Sequence, residues 1–375
     1  MGNSSNAFFI SKGWVNSDMD INFTSRLVRR INQRVRENQF SGAVLIRRGG
    51  TDLFRRAYGW ANRTWKVKNT PETRFRIASV GKLFTAAAIM QLIEAGKLTL
   101  ETRVVEYLDL KGTTLPPNAT IYHMLTMTSG IADWINEDAE DFDAEWEKFC
   151  RDHPLYLLRR DADYLPIFSQ LEPYGALGEK FRYNNAGFML LGLMVEKAMG
   201  VSYFDYVRQN IFVRTGMTQT DFIDLDDVSP EVAEGYVPIK DENGAVTGWR
   251  KNIYSTTAGG AADGGSTSTL DDLVRFSRTL RGGKLFAKEW VESMLTPKVV
   301  ADEEDPQWRY GFGCFILLDA NEKILRWGHT GEEDGVSCRL LYYPTHKLDV
   351  VVLGNQSSCA GKVALGIHNL IMETL

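Results

Sequence analysis

The order in which strand-like and helix-like patterns succeed one another along these 375 residues limits the folds open to the chain. Leu27, Val28, Ile31 and Val35 recur at helical spacing, and Arg26, Arg29, Arg30, Arg34 and Arg36 fill the other positions, so an amphipathic helix is predicted over about 21–38. Gly42 to Ile46 and Leu53 to Tyr58, separated by Gly49-Gly50, read as a β-hairpin. An apolar helix from Val80 to Ala95 follows, closed by Gly96. Residues 100–255 read as mostly helical, with loops rich in Pro, Asp and Gly and no internal repeat. From Gly259 the pattern changes to a Gly-rich turn ending at Gly265, then a helix capped by Ser268 with Asp271 three residues on. β-rich segments at 309–318, 323–328, 335–343 and 348–354 come next, and a last helix runs from Lys362 to Glu373. Strands near both ends and helices between them place the two ends of the chain in one antiparallel sheet. The expected class is α+β, an antiparallel sheet flanked by helices with an inserted, mostly helical subdomain. In that division 1–20 is an N-terminal extension, 21–100 and 256–375 form the sheet domain, 101–255 form the helical subdomain, and any active site lies between the two.

Composition excludes several classes. A chain with 44% hydrophobic and 24% charged residues has ample length and apolar content for a large core. A net charge of −5 gives no bulk attraction for nucleic acid or an anionic membrane, and the arginines of the first helix, lacking interleaved aromatics, read as a solvated face. A small molecule or short peptide is the expected partner, and oligomeric state is left open. Cys150, Cys314, Cys338 and Cys359 lie far apart without a C-x-x-C and read as buried thiols. His123, His153, His329, His346 and His368 are scattered with no H-x-x-x-H pair, so no metal or other cofactor is expected. No serine sits in G-x-S-x-G, which sets aside the α/β-hydrolase arrangement. The N-terminus has no basic leader pattern, and Ala7 to Ile10 is too short for a signal core; a cytoplasmic protein is expected, or an extracytoplasmic one if a leader was removed. Asn6 replaces the Ser or Thr that myristoylation at Gly2 requires. Ala186 to Met199 contains Glu196 and Lys197 and is shorter than the ~20 apolar residues of a membrane span, so it reads as a core helix.

Three short segments carry candidate chemistry. Ser79 and Lys82 open the apolar helix with i to i+3 spacing, which puts both side chains on one face. A serine hydroxyl needs a neighbour to take its proton, and a lysine can do so if desolvation lowers its pKa. The helix N-terminus adds partial positive charge and an amide N–H for a developing oxyanion. Tyr183-Asn184-Asn185 precedes a second apolar helix, where a phenol near Lys82 could relay a proton and an Asn amide could hold a substrate amide from both ends. His329-Thr330-Gly331 lies between two predicted strands, where a Gly admits a substrate backbone along a strand edge, His329 and Thr330 supply polar contacts, and Glu332 N–H is a possible second oxyanion donor. Each segment also has a plain structural reading, as helix cap, core tyrosine or β-turn.

In this order the three segments resemble the serine β-lactamase and penicillin-binding-protein superfamily, especially its class C β-lactamase, D-alanyl-D-alanine carboxypeptidase and esterase branch. The resemblance runs from about residue 21 to 373 and includes Leu125-Thr126-Met127-Thr128-Ser129-Gly130, similar to the family's L-x-H-T-S-G stretch, and the Gly-rich turn from Gly259 with the capped helix through Asp272. Met127 stands where that family usually has His, and Glu332 where a small residue is usual. The resemblance implies a β-lactamase/transpeptidase-like fold with Ser79 as acylated nucleophile, Lys82 as activating base, Tyr183 as proton relay and Asn185 as a substrate-amide ligand. His329 and Gly331 would flank the substrate, with Thr330 beside them, and the oxyanion would sit between Ser79 N–H and Glu332 N–H. The implied activity is that of a serine hydrolase acting through an acyl-enzyme on an amide, lactam or ester; a catalytically silent peptide-binding module of the same type is the alternative.

One feature of charge bears on substrate class. The run Asp133 to Glu147 holds eight acidic residues and no basic one, and Glu332, Glu333 and Asp334 add three more beside His329-Thr330-Gly331. A solvated acidic surface is the plain reading. If these acids face a cleft, neutral esters or peptides with a free amine are favoured over substrates bearing a carboxylate.

Overall fold

The computed structural model describes residues 17–374. Its framework is α1 (Ser17–Arg36), β1 (Gly42–Arg48), β2 (Thr51–Tyr58), α2 (Lys82–Glu94), α3 (Phe142–Asp152), α4 (Asn185–Met199), β3 (Tyr236–Lys240), β4 (Val246–Lys251), α5 (Leu270–Arg281), β5 (Val299–Val300), β6 (Trp308–Tyr310), β7 (Phe315–Leu318), β8 (Ile324–Glu333), β9 (Val336–Tyr343), β10 (Leu348–Gly354) and α6 (Ala360–Thr374). Eight strands form one sheet in the order β2-β1-β10-β9-β8-β7-β6-β5, and every pairing in it is antiparallel. The first and last long strands are therefore neighbours, with Gly42 opposite Gly354 and Arg48 opposite Leu348. This is the α+β sheet shared by the two ends of the chain that the pattern predicts.

Alternation along the two central strands sends side chains to opposite layers. Val44, Ile46, Val350 and Val352 pack with Phe23, Leu27 and Ile31 of α1 and Ile367 and Ile371 of α6. Ala43, Leu45, Val351 and Leu353 join the larger core around α2. Helix α2 is apolar on all sides, and every residue from Lys82 to Ile93 is buried, as expected of a helix enclosed by the fold.

Several boundaries differ from the sequence reading. Residues 1–16 of the expected N-terminal extension lie outside the described residues, and 17–20 already belong to α1. Helix α5 is capped by Thr269, whose hydroxyl accepts from Asp272 N, while Ser268 pairs with Phe75 in a short bridge and shares a hydrogen bond with Thr220. The segment 309–318 breaks between Tyr310 and Phe315 because Gly313 turns at φ +73°. Strand β8 continues through Glu333, so His329-Thr330-Gly331 lies within it rather than between strands; the reversal comes at Asp334-Gly335, where Gly335 has φ +74°. The helical middle ends in the hairpin β3–β4, fastened by the Arg63 guanidinium lying 3.6 Å from the Trp249 ring centroid. Cys314, Cys338 and Cys359 are buried, whereas Cys150 is half-buried; all four are free.

Candidate active site

The turn from Ala78 to Gly81 is a 3₁₀ helix leading directly into α2. Ala78 is held at φ +43°, which for a residue with a Cβ costs roughly 1–2 kcal/mol. Close backbone neighbours maintain it. A Cβ at Gly264 would lie 2.6 Å from the Ala78 carbonyl, and one at Gly331 would lie 2.3 Å from the Ile77 oxygen. The Gly-rich turn and strand β8 thus clamp the turn that presents Ser79 from two sides.

Lys82 is completely buried. Its Nζ lies 2.9 Å from Ser79 Oγ, 2.7 Å from Asn185 Oδ1 and 2.9 Å from the Asp263 carbonyl oxygen. Burial pushes its pKa below the ordinary lysine value, although Asp263, Glu137, Asp133 and Glu333 pull it back up. A neutral amine offers two N–H donors and one lone pair. Asn185 Oδ1 and the Asp263 carbonyl can only accept, so the lone pair is left for the one partner with a proton to give, the Ser79 hydroxyl.

The Tyr183 ring centroid lies 4.9 Å from Lys82 Nζ, and its plane is stacked on Phe315. Burial, with Glu137 and Tyr310 nearby, raises the phenol well above its usual range, while the nearby Ser79 hydroxyl opposes the rise. Tyr183 is therefore a neutral phenol that can pass a proton on, not a standing phenolate. Asn185 is the first residue of α4. Its Nδ2 donates to Glu137 Oε1 at 2.7 Å and to Asp133 Oδ2 at 3.2 Å. Both ends of the amide are thus already used within the protein, which makes Asn185 the support of Lys82 here rather than a free clamp for substrate. Asp133 also accepts from the backbone N–H groups of Asn185, Ala186 and Trp134, tying the loop to the start of α4. Burial raises its pKa to about 7 against the pull of those donors.

The structure corrects the reading of His329. It is fully buried, its Nδ1–H donates to the Thr330 carbonyl at 2.6 Å, and its Nε2 lies 3.2 Å from the Tyr310 hydroxyl as acceptor. Burial, and after it the nearby Lys82, lowers its pKa to about 3, so it is a neutral packing group beneath the site and does not flank a ligand. Gly331 packs against the Ile77–Ala78 backbone, with no room for a side chain. Thr330 is half-buried in β8. Its carbonyl leaves the β8–β9 ladder to meet His329, and Glu332, two residues on, has the same phase, so Glu332 N–H also points out of the ladder. The Glu332 carboxylate is paired with Arg339 at 2.6 Å and accepts from Ser337.

A cleft of about 660 Å³ opens onto Ser79, Asn185, Asp263 and Glu332, with Trp134, Phe142 and Trp146 also lining it. Burial raises the Asp263 carboxyl to about 6, while the charge of Lys82 lowers it. Sequence reasoning passed over Asp133, Glu137, Trp134 and Asp263 as individuals. The acidic run and the Gly-rich turn were the available signals, but neither says which carbonyl or carboxylate reaches Lys82. Among the described residues no group of three or more His, Cys, Asp or Glu is arranged to hold a metal ion, and no single helix is long and apolar enough to cross a membrane.

Known proteins share this arrangement of sheet, helices and turn. The β-lactamase family model matches residues 27–368. Penicillin-binding protein 4* of Bacillus subtilis (strain 168) is 30% identical over 328 residues, covering 85% of this chain and 69% of that protein. Esterase EstB of Burkholderia gladioli is 27% identical over 334 residues, covering 81% and 84% of the respective chains. The crystal structure of a penicillin-binding protein from Bacillus halodurans aligns with a TM-score of 0.81 at 37% identity, over 90% of this chain and 99% of that one. With the match extending across the sheet, the helical region and the Ser79–Lys82 turn, the chain belongs to the β-lactamase family, whose relatives here are penicillin-binding proteins and esterases.

Proposed function

We propose that this protein is a serine hydrolase that forms an acyl-enzyme on Ser79 from an amide, lactam or ester. The observation that carries the reading is the buried Lys82, whose three partners include a single proton donor, the Ser79 hydroxyl. Ser79 Oγ attacks the carbonyl carbon as its proton passes to Lys82 Nζ; Tyr183 conveys a proton to the leaving group, and water then hydrolyses the Ser79 ester. The Ser79 and Glu332 N–H groups stabilise the tetrahedral oxyanion, a contribution on the order of 3 kcal/mol per donor. Asn185 and Asp263 keep Lys82 aimed at Ser79. The similarity to penicillin-binding protein 4* supports amide or lactam substrates, and that to esterase EstB supports esters.

Fluorophosphonate labelling followed by intact-mass and peptide analysis tests this. One adduct on Ser79, absent from Ser79→Ala, is expected, with turnover of at least one of p-nitrophenyl acetate, nitrocefin and D-alanyl anilides. Ser79→Ala, Lys82→Ala and the double variant should each lose at least ~10³-fold in kcat, without adding. A folded wild-type protein that takes no label and turns over no substrate would instead be a silent binding module.

A further inference from the structure

The acids around the cleft divide by whether they bring their own cation. Glu332 pairs with Arg339 at 2.6 Å, Glu333 with Arg76 at 3.0 Å, and Asp334 faces Arg250 at 3.9 Å. Glu332 and Glu333 are thus held by close arginines, while Asp334 is only loosely opposed by the exposed Arg250. Glu137, Asp143 and Asp263 form no ion pair among the described residues that line the cleft, and of these three Glu137 is the exposed one tied to the catalytic group, through a hydrogen bond from Asn185 Nδ2 at 2.7 Å.

That hydrogen bond fixes where Glu137 stands. Asn185 Oδ1 holds Lys82, and Lys82 holds Ser79, so two side chains separate the Glu137 carboxylate from the nucleophile. Trp134 and Trp146 line the same cleft as an edge-to-face pair with ring centroids 6.0 Å apart, Trp146 being stacked on Phe149. A carboxylate and indole rings lining one cleft suit an ammonium group better than a carboxylate. Among the described residues lining the cleft, Lys240 is the one cationic side chain, so a substrate carboxylate has little to meet.

We infer that Glu137 selects substrates with a free amine close to the scissile carbonyl, such as amino-acid amides, amino-acid esters or short peptides with a free α-ammonium, over those with a carboxylate there. The inference rests on acylation of Ser79 as proposed above. It also replaces Glu332 with Glu137 as the acid that sets substrate charge, because Glu332 is neutralised by Arg339.

The test uses alanine p-nitroanilides of both configurations in three forms, with a free amine, N-acetylated and N-succinylated. Each is measured as a substrate and as a competitor of p-nitrophenyl acetate hydrolysis, so that binding is read even without cleavage. The free-amine form should exceed the N-acetyl form by about tenfold in kcat/KM or in competition at low salt, and the N-succinyl form by more. Salt at about 0.5 M should shrink these ratios. Glu137→Gln should bring the amine to N-acetyl ratio near one, and Glu137→Lys should favour the N-succinyl form. Comparing ratios within each variant removes any general effect of losing the hydrogen bond to Asn185. A wild-type ratio of one or less, or ratios unmoved by both substitutions, overturns the inference. If Ser79 is labelled and the acetate hydrolysed while the ratios stay flat, Glu137 alone is refuted; if neither occurs, the hydrolase reading fails and the inference with it.

Discussion

A lysine with no exposed surface at the start of an apolar helix must either lose its charge or have that charge compensated. Lys82 has three hydrogen-bond partners but no carboxylate among them, and burial outweighs the more distant acids, so its pKa is lowered and the neutral amine is easier to reach than for an exposed lysine. Protonated Lys82 cannot take the Ser79 proton. Activity should therefore fall as pH drops through the lowered pKa of Lys82, and kcat/KM measured from about pH 5 to 9 should show an acid limb. A flat profile across that range would exclude Lys82 as the base. The same shift acts on stability: between the lowered folded pKa and the unfolded value near about 10.4, the unfolded chain binds more protons, so stability rises with pH across that window on account of Lys82. Tyr183 gives a second residue-scale expectation. Its phenol contributes a proton while its ring supplies the packing against Phe315, so Tyr183→Phe should leave the melting temperature nearly unchanged and cut turnover about 10²-fold or more. A large fall in melting temperature with turnover intact would make Tyr183 a core residue only.

At the scale of elements, the site depends on how closely backbones approach. The 78–81 turn is pressed between Gly264 and Gly331, and both glycines are required because a Cβ at either would overlap the Ile77–Ser79 backbone. Gly331→Ala should displace the turn or strand β8, cost about 1–3 kcal/mol in urea denaturation, and lower kcat more than a surface Gly→Ala change at Gly50, where a Cβ meets nothing. Unchanged stability and activity in Gly331→Ala would show that β8 does not clamp the nucleophile. Helix α4 makes a similar point. Its first residue is held by Asp133, which belongs to a loop some fifty positions earlier, so the loop, α4 and α2 meet at Lys82 through one connected set of hydrogen bonds.

For the whole molecule, the pairing of β1 with β10 makes early and late parts of the chain one structural unit, with the two core layers on its opposite faces. Asp349 on β10 is fully buried and accepts from Ser277 and from both terminal nitrogens of Arg281 on α5, fastening that helix to the centre of the sheet. Arg281→Met would leave a buried carboxylate with one hydroxyl donor. The expected loss is about 3–5 kcal/mol, read as a lower urea midpoint with no change in slope. A loss under about 1 kcal/mol would show that the pair behaves like an exposed surface bridge.

What the sequence by itself determined is the part of the molecule governed by local period and short spacing. The i to i+3 separation of Ser79 and Lys82 brings them to one face of any helix, β-rich runs mark β9 and β10, and the placement of strands near both ends leads to a shared sheet. Tyr183 and Asn185 could be singled out because they abut an apolar helix, but the partners of Asn185 could not. Tertiary structure alone decided that the Asp263 carbonyl and Asn185 converge on Lys82, that His329 is buried and Gly331 packs on the Ile77–Ala78 backbone, that Arg339 neutralises Glu332, and that Glu137 stands in the cleft with no ion pair among the described residues. Each of these depends on contacts between residues far apart in the chain or on which side of a strand faces a neighbouring turn. A charge run shows how many acids there are; packing decides which of them meet an arginine and which meet the substrate.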